Sequence, residues 1–414
     1  MTSGERFYER SFESLEGIPT DEFMSLLRVK TEKAITFDRI EARLQDGEPL
    51  NIKFGTDPTG PDLHLGHIVP IRVLDLFSRA NHNIDLIFGD FTAKVGDPSG
   101  RKDGRPALTD EKIAENMSTF QDQVNKYFDT KRENVNIHAN SVWLGRMALA
   151  DVFGYFAAIN LTEATQRNDF RERMQKGESV SLAETVYGTL MGIDSVHLDT
   201  DIEVGGLDQL LNFQQARTVQ KASGQTAEEI IMTPILEGTS GDGHKMSKSF
   251  DNYVPVSAEP GEVFGKIMSI PDSLIIPYLK AYAPLYQSDL AAIELTTAEQ
   301  PLEMKKQLAT YMAAISSANY DSGVQAREKF ERRFAAKNIS EADATTLSFQ
   351  NKNLTDTLLS SGDFKSRSEL RRLAEQGGIK INGTKITADD LNELPASGSL
   401  VTVGKHRIYT VSGE

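Results

Sequence analysis

The sequence has no cysteine and a single tryptophan among its 414 residues. The first absence excludes disulfides, thiolate metal sites and cysteine nucleophiles, and says little about redox compartment. No apolar run approaches the roughly 20 residues needed to span a bilayer, so no membrane segment is expected. The opening stretch "MTSGERFYERSFESLEG" mixes charges of both signs and lacks the apolar core of a signal peptide. No export signal is expected, and the chain is read as cytoplasmic. Nor is there an excess of basic charge. The formal net charge is −15, which argues against a protein that coats nucleic acid by wide phosphate neutralisation. It leaves room for a local basic surface. The segment from Asn351 to Glu414 holds nine basic and eight acidic residues, a net of +1 against −16 for the remainder. The tail is therefore electrostatically distinct.

What is present is the composition of an ordinary globular protein, 39% hydrophobic and 25% charged, long enough for two to four domains. The first ~35 residues read as helical from the apolar spacing in "DEFMSLLRV". Short continuous apolar runs ended by Gly or Asp then alternate with helical periodicity. "LNIKFG", "IDLIFGD", "VNIHAN", "DIEVGG" and "EIIMTPILEG" have the character of buried parallel strands. Helical stretches such as "VPIRVLDLFSRA" and "LDQLLNFQQARTVQKA" separate them. The expected fold is α/β, a doubly wound parallel sheet with a helical insertion before Leu198. From Pro255 to Ala342 the pattern is helical and charged. The last segment holds a basic amphipathic helix, "SRSELRRLAEQGG", and a hairpin signal at Asn382-Gly383. This gives expected domains at 1–254, 255–345 and 351–414.

Two stretches carry the chemistry. "DPTGPDLHLGHIVP", Asp57 to Pro70, falls where the first parallel strand passes into a helix. Ligands of open α/β sheets bind at that end of the strands, and a helix N-terminus favours anions. His64 and His67 lie one turn apart and can donate to phosphate oxygens, while Gly66 permits close approach. No third metal ligand accompanies them, so no metal site is expected. Taken alone, the pattern is equally an ordinary turn with two surface histidines. "GDGHKMSKSFDNYV", Gly241 to Val254, puts Lys245 and Lys248 three apart in a small, polar, Gly-flanked loop suited to a polyphosphate. A lysine-rich loop alone is more often merely solvated. The phosphate-binding pattern G-x-x-x-x-G-K-[ST] is absent.

HxGH after the first parallel strand and KMSKS after the last resemble the paired signatures of class I aminoacyl-tRNA synthetases. Within that class the chain resembles the bacterial-type tyrosyl-tRNA synthetases over nearly its whole length. "FGTDPTGPDLHLGH", "GDFTAKVGDPSGR", "WLG" at Trp143 to Gly145, "GGLDQ" at Gly205 to Gln209 and an S4-like tail, "SRSELRRLAEQGGIKING", carry the likeness. The resemblance implies a tyrosine–tRNA ligase acting on L-tyrosine, ATP with Mg²⁺ and tRNA(Tyr), as a homodimer without a tightly bound cofactor. By position, Thr59, His64 and His67 would hold the ATP phosphates beside Gly66, and Asp208 the ribose, with Gly206 allowing close approach. Lys245 and Lys248 would clamp the leaving pyrophosphate, Ser247 and Ser249 shaping their loop. Asp97, Tyr187 and Gln209 would engage the ammonium and carboxylate of the amino acid, with Gly55 and Asp57 in the same pocket, and Asp194 would accept the phenolic hydroxyl. Arg367, Arg371, Arg372 and Lys380 would contact RNA backbone.

The chain departs from the family pattern in "TLMGIDSVHL" and "GGLDQ". Met191 stands where glutamine is expected against the ammonium, Ile193 replaces a tyrosine, and Leu207 replaces threonine or serine. These changes surround the amino-acid pocket and leave the ATP signatures whole. They keep open a paralogue that activates a tyrosine analogue or another amino acid. A non-catalytic, synthetase-derived RNA-binding protein is the third reading, and the intact histidines and lysines count against it.

Overall fold

The computed structural model describes residues 3–98, 108–165, 168–335, 344–348, 353–364, 366–393, 396–404 and 407–412. Of "GDPSGR", Gly96 to Pro98 are described and Ser99, Gly100 and Arg101 lie outside the described residues. Two compact units are present, Met1–Arg327 and Glu328–Glu414.

In the first unit the apolar runs form a six-stranded sheet. Its strands are β1 (Lys33–Ile35), β2 (Asn51–Thr56), β3 (Asn83–Phe88), β4 (Val135–Ala139), β5 (Ile202–Gly206) and β6 (Glu229–Thr233). The order across the sheet is β1-β6-β5-β2-β3-β4. Strands β2 to β6 are mutually parallel, as expected of runs buried on both faces; all five residues of β6 are buried. The chain moves outward from β2 through β3 and β4, then returns to the other side of β2 with β5. The strand order thus reverses between β2 and β5, where the crevice of a doubly wound sheet opens.

The sequence reading missed β1. It lies inside the first ~35 residues read as helical, pairs antiparallel to β6 with Lys33 opposite Met232, and follows helices at Ser3–Arg10 and Thr20–Lys30. Three half-exposed residues on an edge are too few to show a period of two.

The helix Leu65–Arg79 is buried along nearly its whole length beneath the crevice. Its position is set by polar anchors as well as by apolar packing. Arg72 donates to the carbonyls of Tyr127 and Tyr282 at 3.1 and 3.2 Å, and Arg79 donates to those of Arg10 and Glu13. Asp75 lies among Arg72, Arg79 and Arg132, so the buried charges are paired as such groups must be. The Tyr282 hydroxyl, from the helix Ile275–Tyr282, donates to the Leu65 carbonyl at 2.8 Å. The charged helical segment read between Pro255 and Ala342 therefore holds the start of the helix that carries the two histidines.

The second unit is a five-stranded sheet of β7 (Thr345–Ser348), β8 (Ile379–Ile381), β9 (Thr384–Lys385), β10 (Leu400–Val403) and β11 (Arg407–Ser412), in the order β7-β11-β10-β8-β9. Helices Leu354–Leu359 and Arg367–Glu375 cover it. Leu354, Leu358, Leu370, Ile379, Val401 and Val411 form its core. The hairpin expected at Asn382-Gly383 joins β8 to β9, with φ of 47° and 82° at the two turn residues. Positive φ at both is the geometry that a tight two-residue hairpin requires. Among the described residues, no helix is long and apolar enough to cross a membrane.

Candidate active site

A cavity of about 370 Å³ opens at the carboxyl ends of β2, β5 and β6. Every site residue named from the sequence in the first unit lines it except Lys248 and Ser249. The Lys248 ammonium lies on the same loop, 3.7 Å from an Asp62 carboxylate oxygen.

At one end, His64 is extended at the N-cap of the helix Leu65–Arg79 and His67 sits in its first turn. Their rings are 3.9 Å apart. His67 Nδ1 accepts the His64 backbone N–H at 3.2 Å, which puts the ring proton on Nε2, where it is free to donate. Burial, with help from His67 and the two lysines, holds His64 down to about 2. Burial and the same lysines hold His67 down to about 4. At neutral pH both rings are therefore uncharged donors, and the positive charge at this end belongs to Lys245 and Lys248. A Cβ at Gly66 would lie 3.0 Å from the His64 ring and 3.7 Å from Met246, so glycine leaves the imidazole its place.

The two signature stretches touch. The Leu65 N–H donates to the Val254 carbonyl at 2.9 Å, and the Gly66 N–H points at the Met246 sulfur at 3.3 Å. Asn252 holds the loop by accepting the Ser247 N–H at 2.8 Å, and the Ser247 hydroxyl oxygen accepts the Ser249 N–H at 3.2 Å. Lys245 Nζ is 3.6 Å from Asp208. Burial raises the Asp208 carboxyl, and Lys245 opposes that rise. Both lysines thus rest on carboxylates they can exchange for phosphate. A Cβ at Gly206 would fall 2.6 Å from Asp208 Oδ1, so glycine leaves that carboxylate its place.

The opposite end is acidic. Asp57 accepts the Thr92 hydroxyl at 2.7 Å and the Tyr187 hydroxyl at 3.0 Å. Asp97 accepts from Gln209 Nε2 at 2.9 Å and from Asn212 Nδ2 at 3.3 Å. Deeper in, Asp194 accepts Trp143 Nε1–H at 2.7 Å on one oxygen and Asn140 Nδ2–H at 3.2 Å on the other. Each oxygen keeps a second lone pair for a ligand donor. Burial pushes the Asp194 carboxyl up to about 6, with the Lys53 cation pulling against it.

The departures from the family pattern are apolar packing. Met191 packs against Phe213, Ile230 and Met232, with Leu207 beside it, and Ile193 packs with Ile87, Trp143 and Val219. Met191 still lines the cavity. Sequence reasoning did not single out Lys53, Gly89, Thr92, Asn140 or Glu203, all of which line the cavity as well. A lysine and a glutamate inside strands otherwise built for burial were the available signal. Arg367, Arg371, Arg372 and Lys380 lie in the second unit and are exposed. Arg367 pairs with Asp356 at 2.6 Å and Arg371 with Glu375 at 3.4 Å.

Residues 45–335 match the model of the family described as tRNA synthetases class I (W and Y). The chain belongs to that family. A tyrosine–tRNA ligase of Thermotoga maritima is 35% identical over 395 residues, covering 95% of this chain and 98% of that one. One of Geobacter metallireducens is 37% identical over 386 residues, covering 90% and 93%. Among solved structures, a C-terminally truncated Aspergillus nidulans mitochondrial tyrosyl-tRNA synthetase aligns with a TM-score of 0.63 at 20% identity, over 80% of this chain and 98% of that one. An Archaeoglobus fulgidus tyrosyl-tRNA synthetase complexed with L-tyrosine gives 0.59 at 22%, over 75% and 100%. At those identities the two structures establish the fold, which is that of this family of synthetases.

The acidic end of this synthetase depends on a glycine. A Cβ at Gly89 would fall 2.2 Å from Thr92 Oγ1 and 2.3 Å from Asp57 Oδ1, so the bond between those two side chains cannot survive Gly89→Ala. The substitution is expected to lower kcat/KM for the amino acid in ATP–pyrophosphate exchange by tenfold or more, with KM for ATP changed far less. Equal losses toward both substrates would show that Asp57 does not serve the amino-acid end.

Proposed function

We propose that the chain is a tyrosine–tRNA ligase. One observation carries the reading: a single cavity holds a buried carboxylate, Asp194, acids and amides beside Tyr187, and, at its other end, two neutral imidazoles with the Lys245 ammonium, Lys248 standing on the same loop. An amino acid with a phenolic hydroxyl and a nucleoside triphosphate fit those two ends. Asp194 accepts the hydroxyl. Asp57, Asp97, Tyr187 and Gln209 face the ammonium and carboxylate, and Met191 contributes apolar surface in place of the amide usual in the family.

In this reading ATP enters as its magnesium complex. The tyrosine carboxylate attacks the α-phosphorus in line and pyrophosphate departs, giving tyrosyl-adenylate. No covalent enzyme intermediate is needed, so the protein positions the reactants and stabilises charge spreading over phosphate oxygens. Thr59, the Nε2–H of His67 and the ring N–H of His64 donate to the phosphates. Lys245 and Lys248 leave Asp208 and Asp62 to follow the departing pyrophosphate, and Asp208 is released to the ribose. The tyrosyl group then passes to the terminal ribose of tRNA(Tyr). Residues 1–254 supply this chemistry, 255–345 an anticodon-arm helical domain, and 351–414 an S4-like module whose Arg367, Arg371, Arg372 and Lys380 meet RNA backbone, where shape and phosphate contacts dominate. The setting is the cytoplasm.

The partner in the proposed homodimer is a second copy seated on the helical insertion. Val142, Leu149, Phe153, Leu161 and Leu182 are 53–75% exposed, and no residue of the helix Leu149–Phe156 is buried. An apolar face of that kind, in a chain of this family, marks an association surface. Phe153→Asp is expected to halve the mass seen by sedimentation equilibrium at micromolar concentration; an unchanged mass places the interface elsewhere.

Adenylate chemistry and the basic module belong to different units. A chain ending at Gln350 should therefore retain pyrophosphate exchange within about twofold and lose tRNA charging by at least tenfold. Normal charging by the shortened chain would remove the tail from the RNA-binding account.

A further inference from the structure

Beneath the amino-acid end of the cavity lies a buried polar cluster that the chemistry above does not use. Lys53 and Glu203 face each other in register on β2 and β5, the two strands between which the strand order reverses. Their side chains are each 2% exposed, with Nζ and Oε1 2.9 Å apart. The same ammonium donates to the Met191 carbonyl at 3.0 Å and to the Ser195 hydroxyl at 2.5 Å. All three of its hydrogens are spent within the protein. Two of those bonds go to the helix Tyr187–His197, which carries Tyr187, Met191 and Asp194.

Behind this pair is Glu228, fully buried. Its two carboxylate oxygens and Glu203 Oε2 find no conventional donor among the described residues. A proton on Glu228, donated to Glu203, satisfies Glu203 Oε2 and the Glu228 oxygen that carries it. Burial beside the Glu203 charge pushes Glu228 well above the ordinary carboxyl range, which keeps that proton in place at neutral pH. The cluster is then one cation, one anion and one neutral acid, and the uncompensated charge in this wall of the cavity is that of Asp194.

Resting on the reading of Asp194 as the acceptor of the ring hydroxyl, we infer that Lys53 is a positioning residue for amino-acid specificity, pinning the Tyr187–His197 helix to β2 and β5 so that Asp194 meets the ring as an anion. Lys53 touches no reacting atom. Burying an ammonium here is costly compared with an apolar side chain of similar size, and a purely structural strut between strand and helix needs no charge. The groups acting on Asp194 are Lys53 from β2, Glu203 from β5, Tyr187 on its own helix, and Trp143 and Asn140 from the segment after β4. His138 lies edge-on to Trp143 with centroids 5.8 Å apart, and His197 stacks on it at 4.4 Å.

Trp143 is the sole tryptophan, and its N–H binds Asp194 directly, so its emission reports the protonation of that carboxyl without substrate. The part of the pH titration that Asp194→Asn abolishes belongs to Asp194. Lys53→Met alone strands the buried Glu203 charge, so the decisive variant is Lys53→Met with Glu203→Gln, which removes both charges at nearly constant volume. Losing the nearer cation raises the Asp194 pKa. The expected result is a midpoint moved from near 6 upward by at least half a pH unit, with Lys53→Arg restoring it. In pyrophosphate exchange the ratio of kcat/KM for tyrosine over phenylalanine should fall at least tenfold while KM for ATP stays within twofold. A folded double variant with an unmoved midpoint and an unchanged ratio overturns the role given to Lys53. Failure of the wild type to activate tyrosine would instead overturn the functional reading, and the emission titration would still decide the coupling of Lys53 to Asp194.

Discussion

The carboxylate of Asp57 is the constraint on which the amino-acid end of the site depends. At the end of β2 it accepts one hydroxyl from Thr92, beyond β3, and another from Tyr187, at the head of the helix that follows the insertion. Three segments far apart in sequence are thereby drawn to one point. The same strand carries Lys53 four residues earlier, bonded to the next turns of that helix. Strand β2 therefore fixes the helix at two heights, from the mouth and from the floor, and the loop leaving β2 runs on through Thr59 to His64. Small changes in β2 are felt at both substrates.

Charge is arranged along the cavity so that each end is suited to one reactant. Burial keeps the histidines neutral, so they donate hydrogen bonds without adding positive charge that would have to be neutralised when phosphate is absent. The lysines rest against Asp208 and Asp62. Their side chains stay 45% and 37% exposed, and such exposed pairs are weak enough to be exchanged. At the other end the acids are satisfied by amides and hydroxyls, which hold them in place without cancelling their attraction for an ammonium.

Much of this was legible in the amino-acid order, for identifiable reasons. The five parallel strands announce themselves as short apolar runs, most plainly where Gly or Asp closes them and more weakly in "VNIHAN", and HxGH and KMSKS by residue type and spacing. The edge strand Lys33–Ile35 did not, being too short to carry a period. The bond from Leu65 to Val254 that joins the two signatures is a backbone contact, and no side chain encodes it. Lys53, Glu203 and Glu228 belong to no motif, and only their presence in segments otherwise fit for burial sets them apart. Met191 and Ile193 read as changes around the amino-acid pocket; their side chains also extend apolar clusters, and Met191 lines the cavity as well.

The claim that this cavity selects L-tyrosine is tested most directly by ATP–pyrophosphate exchange on the wild type with tyrosine, phenylalanine, 3-substituted tyrosines and β-tyrosine. A buried carboxylate left unpaired by phenylalanine is heavily penalised. Sites built to bind a substrate hydroxyl, of which tyrosyl-tRNA synthetases are themselves the standard example, reject the analogue lacking it by about 10⁴–10⁵. The account predicts the highest kcat/KM for L-tyrosine and a preference of that order over phenylalanine. A kcat/KM for any analogue well above that for tyrosine would contradict it.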